Sequence, residues 1–255
     1  MEPADIFVKL MDKLEAKHAD KLAKVISAGY TSMAASFRTY HLGSDPDGNF
    51  LPSLNKALRD LWEESITGGA AAFHTAYDPM LEVETKAEDN ITGLIETFVG
   101  NYRSNVALQI LQTSQRQVRM MMAGGLSGGQ SADEVYKDML EKIPEMAGIR
   151  ALLISRTEVH AATQFASWQL ARRSAIPLVK IWHSTKDEKT RDFGEAGKIS
   201  EFNHRAMDNS RVGVNDYFLV PQHAGGFEQL MFPGDPNGSA GNIINCRCIQ
   251  LYERA

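Results

Sequence analysis

The chain has 255 residues, 43% of them hydrophobic and 23% charged, with a formal net charge of −5 at pH 7. That length fits one large or two small domains and buries a core without covalent staples, and two cysteines cannot build a disulfide framework. Membrane-spanning, disulfide-knot, collagen-like and wholly disordered classes are excluded, because the longest apolar runs fall far short of the roughly 20 residues of a membrane span. No basic-plus-apolar leader opens the chain, so a secretory signal is not expected. Charge is uneven. Residues 1–100 hold 9 basic and 16 acidic side chains, whereas residues 101–255 hold 18 and 16. Neither half has the basic excess of a nucleic-acid-binding domain.

The first two thirds read as helix. Over residues 4–38, Ile6, Phe7, Leu10, Leu14, Leu22, Val25 and Ile26 recur at helical spacing. Pro3 suits a first turn, where a missing N–H costs little. Gly43–Asn49 is a dense loop signal. A second helix is expected from Pro52 to about Ile66, with Leu54, Leu58, Leu61 and Trp62 buried and Gly68-Gly69 breaking it. Residues 86–122 predict one long helix, because Leu94, Phe98, Tyr102, Val106 and Ile110 recur every four residues. Gly124–Gly129 is expected to end it as a flexible linker. It lacks the Gly-Lys-Ser/Thr of a phosphate-binding loop.

Ser131 and Glu134 form a capping box that starts the next helix. Pro144 is expected to close that helix, and a last one to run from about Ile149 to Ala175. Arg172, Arg173 and Lys180 form a small basic group, read as a solvated face. Met120-Met121-Met122 reads as an apolar patch at a helix end. From about residue 176 the texture changes to short β-branched and aromatic runs at Leu178–Trp182, Tyr217–Val220, Glu228–Phe232 and Cys248–Tyr252. Turn signals at Ser210–Asn215, Ala224–Gly226 and Pro233–Gly238 separate them. The expected fold class is therefore α+β: long N-terminal helices followed by a small, loop-rich, antiparallel β module. Trp62, Trp168 and Trp182 are expected in the core.

An ordered series of polar residues occupies the last hundred residues. It runs Arg156-Thr157-Glu158 on a helix, Trp182…Asp187…Thr190-Arg191, His204-Arg205-Ala206-Met207-Asp208, Pro233-Gly234-Asp235-Pro236, and Asn245-Cys246-Arg247-Cys248. Over about residues 128–252 this series resembles the Mu F-like head morphogenesis family of tailed phages, also called minor head or minor capsid proteins. The resemblance implies a helical N-terminal region, 1–127, and a head morphogenesis domain, 128–255, helical to about 175 and β-rich beyond. It also implies a non-enzymatic virion protein, present in few copies inside the head near the portal vertex. Such a protein assists head assembly, DNA packaging or DNA delivery and passes through the host cytoplasm during assembly. Its implied partners are the portal and major capsid proteins, with weak contact to phage DNA and none to a membrane. Two departures stand out. Residues 192–203 intervene between Thr190-Arg191 and the His204 segment, which are adjacent in many relatives. The Cys-x-x-Cys and His-Pro of some relatives are also missing.

Several readings of these residues stay open. Arg156, Glu158, Asp187, Arg191, His204, Asp208 and Arg247 mix both signs of charge and read as a structural polar network. In it, Arg247 takes a carboxylate such as Asp187 or Asp208. The functional alternative makes His204 a general base oriented by Asp208. Cys246 and Cys248, two apart, share a face on a strand. With His204, and with Asp208 or His183, they could hold zinc; otherwise they are buried thiols acting as small hydrophobes, and no cofactor is needed. The competing class is a metal-dependent or toxin-like enzyme, for example one transferring ADP-ribose with Arg156 and Glu158.

Overall fold

The structure is a computed structural model and describes residues 2–40, 48–81, 90–103, 105–194 and 200–255. The loop expected at Gly43–Asn49 lies mostly outside the described residues. Helix α1 spans Pro3–Tyr40, with Asp5 in its first turn and Arg38 in its last, both favourable to the helix dipole. Its apolar stripe is buried through Phe7, Met11, Leu14, Leu22, Ile26, Tyr30 and Met33. Helix α2 spans Phe50–Leu81 and passes straight through Gly68-Gly69, so the expected break does not occur. The reason is packing. A Cβ on Gly69 would lie 2.9 Å from the Thr163 carbonyl oxygen and 3.1 Å from the Thr163 Cα. The missing side chain lets α2 approach its neighbour.

The long helix expected over 86–122 is interrupted. Helix α3, Ile91–Phe98, is capped by Asn90, whose side chain accepts from the Gly93 amide. A π turn follows at Val99–Arg103, and α4 runs Val106–Ser127. The glycine-rich stretch is no flexible linker. Gly124 and Gly125 are helical, and a Cβ on Gly125 would lie 2.4 Å from Val135. Those glycines make a tight corner. It is closed by Gly128 N–H donating to the Gly124 and Gly125 carbonyls and by Gln130 N–H donating to the Gly125 carbonyl. Helix α5 then runs unbroken over Ala132–Ala171, with Pro144 inside it, where two helices were expected. Its start is as expected. Glu134 accepts from both the amide and the hydroxyl of Ser131, at 2.7 Å each, and its own amide donates to the Ser131 hydroxyl. Of the three consecutive methionines, Met122 is fully buried and Met120 is exposed, both within α4.

The C-terminal module is antiparallel. Strand β1, Leu178–His183, is central and pairs with β2, Arg211–Gly213, and β5, Ile249–Arg254. A hairpin of β3, Phe218–Pro221, and β4, Phe227–Leu230, stands beside that sheet, and a single helical turn, α6, occupies Ala240–Ile243. Strand β2 falls in the segment read as a turn, which corrects that reading. The class is α+β, as the sequence predicts. No helix among the described residues is long and apolar enough to cross a membrane.

The chain divides into two compact units. One joins residues 1–14, 62–102 and 156–255; the other joins 15–61 and 103–155. In the first, the module has its own core of Trp182, Phe202, Met207, Phe218, Val220, Leu230, Cys246 and Cys248. It packs on helix through aromatic contacts: Phe165 with Phe98 and Phe232, and Tyr252 with Phe73 and Tyr77. In the second unit a polar junction ties α1, α4 and α5. Tyr30 and Arg150 both donate to the side-chain oxygen of Gln117, and Arg150 also donates to the Ile110 carbonyl at 3.1 Å.

Candidate functional site

Part of the polar series converges on one short segment, residues 242–248. Helix α5 and the loop after β1 deliver its partners. Arg156 Nη1 donates to Asn245 Oδ1 at 2.7 Å, and the Asn245 amide donates to the Thr157 hydroxyl at 3.1 Å. One turn further along α5, His160 Nε2 donates to the Cys248 carbonyl at 2.6 Å. Arg191 donates to the Ile244 carbonyl. These bonds satisfy backbone groups in a stretch with little regular secondary structure, where buried amides and carbonyls would otherwise be costly. Asn245 sits at φ 60°, the left-handed conformation that asparagine tolerates better than most residues.

At the centre lies a thiol–imidazole cluster. His204, Cys246 and Cys248 are 1%, 2% and 2% exposed. Their ligating atoms all lie within 4.8 Å of one another. His204 Nδ1 is 3.5 Å from Cys246 Sγ and 3.7 Å from Cys248 Sγ. The other ring nitrogen, Nε2, donates to Asn242 Oδ1 at 2.5 Å, so the Nδ1 lone pair faces the thiols. Asn242 is itself held, its amide donating to Glu228, which also accepts from the Ser239 amide and hydroxyl. The Trp182 ring meets His204 edge-on, with centroids 5.2 Å apart. The two thiols share their hydrogen bonding. That contact holds Cys246 below the usual thiol range, with Arg191 assisting, and pushes Cys248 up, with burial assisting.

The remaining network residues divide among other contacts. Asp208 accepts from the Ser184 amide at 3.0 Å and pairs with Lys186 at 2.6 Å. Burial alone would raise its carboxyl pKa, but the Lys186 and Ser184 bonds outweigh that and hold it low. Asp208 therefore neither pairs with Arg247 nor orients His204; Asn242 has the second role. Arg247 approaches Asp187 at 3.9 Å, and Asp187 also caps its own turn through the Lys189 amide and the Thr190 hydroxyl. Glu158 turns to α2, where Trp62 Nε1 donates to it at 2.9 Å. Lys180 belongs to no solvated face. It is fully buried on β1, donating to the Met231 carbonyl and standing 5.2 Å from the Phe218 ring. Burial lowers its pKa to about 7, against the pull of Asp216 and Asp235.

Gly234, at φ 79°, explains the Pro-Gly-Asp-Pro run. A Cβ there would lie 2.3 Å from His160 Nδ1. Asp235, 2% exposed, then fixes the turn by accepting from the Met231 and Asn237 amides. Asn242, Gln164, Gln250 and Glu228 escape a reading of the sequence, because a single amide or carboxylate side chain carries no periodic signal of what it will bond. Gln250 reaches α5 through paired bonds to Gln164, at 2.8 and 2.5 Å.

A loop-rich antiparallel module seated on a long helix, with its polar series tied to a buried Asn-Cys-Arg-Cys segment, defines the class of protein. The chain belongs to the Phage Mu protein F like family, whose sequence profile matches residues 116–251, more than half of its length. It is similar to the uncharacterized protein YqbB of Bacillus subtilis (strain 168), 24% identical over 213 residues, which cover 84% of this chain and 64% of that protein. The chain thus spans less than two thirds of that relative. No solved structure matches it.

Proposed function

We propose that this chain is a non-enzymatic minor head protein of a tailed phage or prophage. It sits in few copies inside the head near the portal vertex and assists head assembly, DNA packaging or DNA delivery. Its partners are the portal and major capsid proteins, with DNA touched weakly at most. Residues 128–255 form the head morphogenesis domain in this reading, and the helical residues 1–127 supply surface for partner subunits. Family membership supports the phage head as the setting. One observation carries the non-enzymatic part: the thiols and imidazole that could do nucleophilic chemistry are at most 2% exposed and lie within a hydrophobic core.

The competing reading is an enzyme. The order of contacts at His204, thiol to Nδ1 and amide oxygen to Nε2, is that of a Cys–His–Asn nucleophile. Such a nucleophile needs access for a substrate carbonyl, which the burial denies. ADP-ribosyl transfer would need Arg156 and Glu158 in one pocket. Here one is bonded to Asn245 and the other to Trp62.

Cross-linking mass spectrometry on gradient-purified heads tests the proposal. Cross-links between this chain and the portal subunit are expected. A chain absent from heads, while its expression alone is toxic to the host and C246S abolishes the toxicity, would overturn it.

A further inference from the structure

His204, Cys246 and Cys248 make a site whose geometry has no purpose in a merely apolar core. We propose that His204 Nδ1, Cys246 Sγ and Cys248 Sγ are the three protein ligands of one zinc ion. The inference stands apart from the role in the head.

Three observations carry it. The first is distance. Zinc–sulfur bonds near 2.3 Å and zinc–nitrogen bonds near 2.0–2.1 Å at tetrahedral angles separate S from N by about 3.6 Å. The two S···N distances here are 3.5 and 3.7 Å. Those two edges of the polyhedron are already close to the length that zinc requires.

The second is orientation. A histidine that ligates through one nitrogen normally donates its other N–H to a held oxygen, which fixes ring and tautomer. Asn242 Oδ1 does this for His204 Nε2, and Glu228 holds Asn242 in turn. That chain of partners aims a single lone pair at two sulfurs.

The third is charge. Both thiols lose their protons to solvent on binding, and the two thiolates neutralise a divalent cation. The complex then carries no net charge into the core, where an unbalanced charge would be costly. A monovalent ion would leave one negative charge. Among the described residues, no other histidine, cysteine or acidic side chain joins the group.

The test uses the full chain, purified without chelator and then stripped. Elemental analysis of the untreated protein is expected to find one zinc per chain. Titrating the stripped protein with cobalt(II) should give thiolate-to-metal charge transfer and the intense visible bands of a tetrahedral site, reversed by zinc. Proton release on zinc addition should approach two per site at neutral pH. C246S and C248S should abolish the cobalt charge-transfer signature. Asn242→Ala keeps every ligand and should weaken zinc about 10- to 100-fold. It serves as the readout if the cysteine variants fail to fold. A folded wild-type chain that gives no cobalt signature and holds no stoichiometric zinc overturns the proposal. So does stoichiometric metal retained unchanged by the C246S/C248S double variant, or copper(I) bound in place of zinc.

Discussion

Single side chains in this protein are placed by what they would collide with or leave unpaired. Gly234 is the sharpest case, since its left-handed φ and its contact with His160 both exclude a side chain. Gly234→Ala should cost about 2–4 kcal/mol, the sum of left-handed strain and overpacking, read as a lower urea midpoint at unchanged slope. A loss under about 0.5 kcal/mol would mean that the turn moves freely. Lys180 offers a pH signature. Its pKa is about 7 when folded and about 10.5 when unfolded. Both forms are neutral at high pH, where stability is full. As pH falls from about 10.5 to about 7 the unfolded chain takes the proton and the folded one resists, so stability is lost. Across that window the difference amounts to about 5 kcal/mol. Unfolding free energy should therefore rise from pH 7 to pH 10 in the wild type more steeply than in Lys180→Met. Parallel profiles would show that Lys180 titrates normally.

At the scale of elements, the glycine pair in α2 separates local propensity from packing. Gly69 abuts the Thr163 backbone, whereas a Cβ on Gly68 would meet only the flexible end of Leu10, at 3.0 Å. Gly68→Ala should be neutral or stabilising by up to about 1 kcal/mol through helix propensity. Gly69→Ala should destabilise by about 1–3 kcal/mol, because backbone must move. In thermal melts Gly69→Ala should lower the midpoint while Gly68→Ala leaves it unchanged or raises it; a comparable drop in both would contradict the packing account. The same distinction explains what the sequence disclosed. Apolar stripes at 3.6 spacing, the Ser131–Glu134 box and four of the five strands were legible, because each is a local pattern. Gly68-Gly69 and Pro144 do not break their helices, and Gly124-Gly125 stays helical although α4 does end within Gly124–Gly129, at Ser127, because the effect of each depends on what packs against it. Strand β2 has three residues amid turn formers and exists only through its pairing with β1. In the site, the ligand-type residues His204, Cys246 and Cys248 stood out by chemistry and spacing. Their support by Asn242 and Glu228 did not, since it depends on how α6 and β4 pack around His204 and no local pattern records that.

For the whole molecule, Arg156, Thr157, Arg191 and His204 hold the segment 242–248 in place, while Glu158, Asp208 and Asp235 fix other parts of the same unit. That makes the module a built platform whose polar residues are spent internally, which suits a structural part of a particle more than a catalyst. The central claim is then about number and place: few copies, inside the head, beside the portal. Quantitative mass spectrometry of gradient-purified heads from the phage or induced prophage encoding this chain measures it most directly. A low, fixed ratio of this chain to the portal subunit, retained in DNA-filled heads, is the predicted result. Absence from finished heads, or copies in proportion to the major capsid protein, would contradict it.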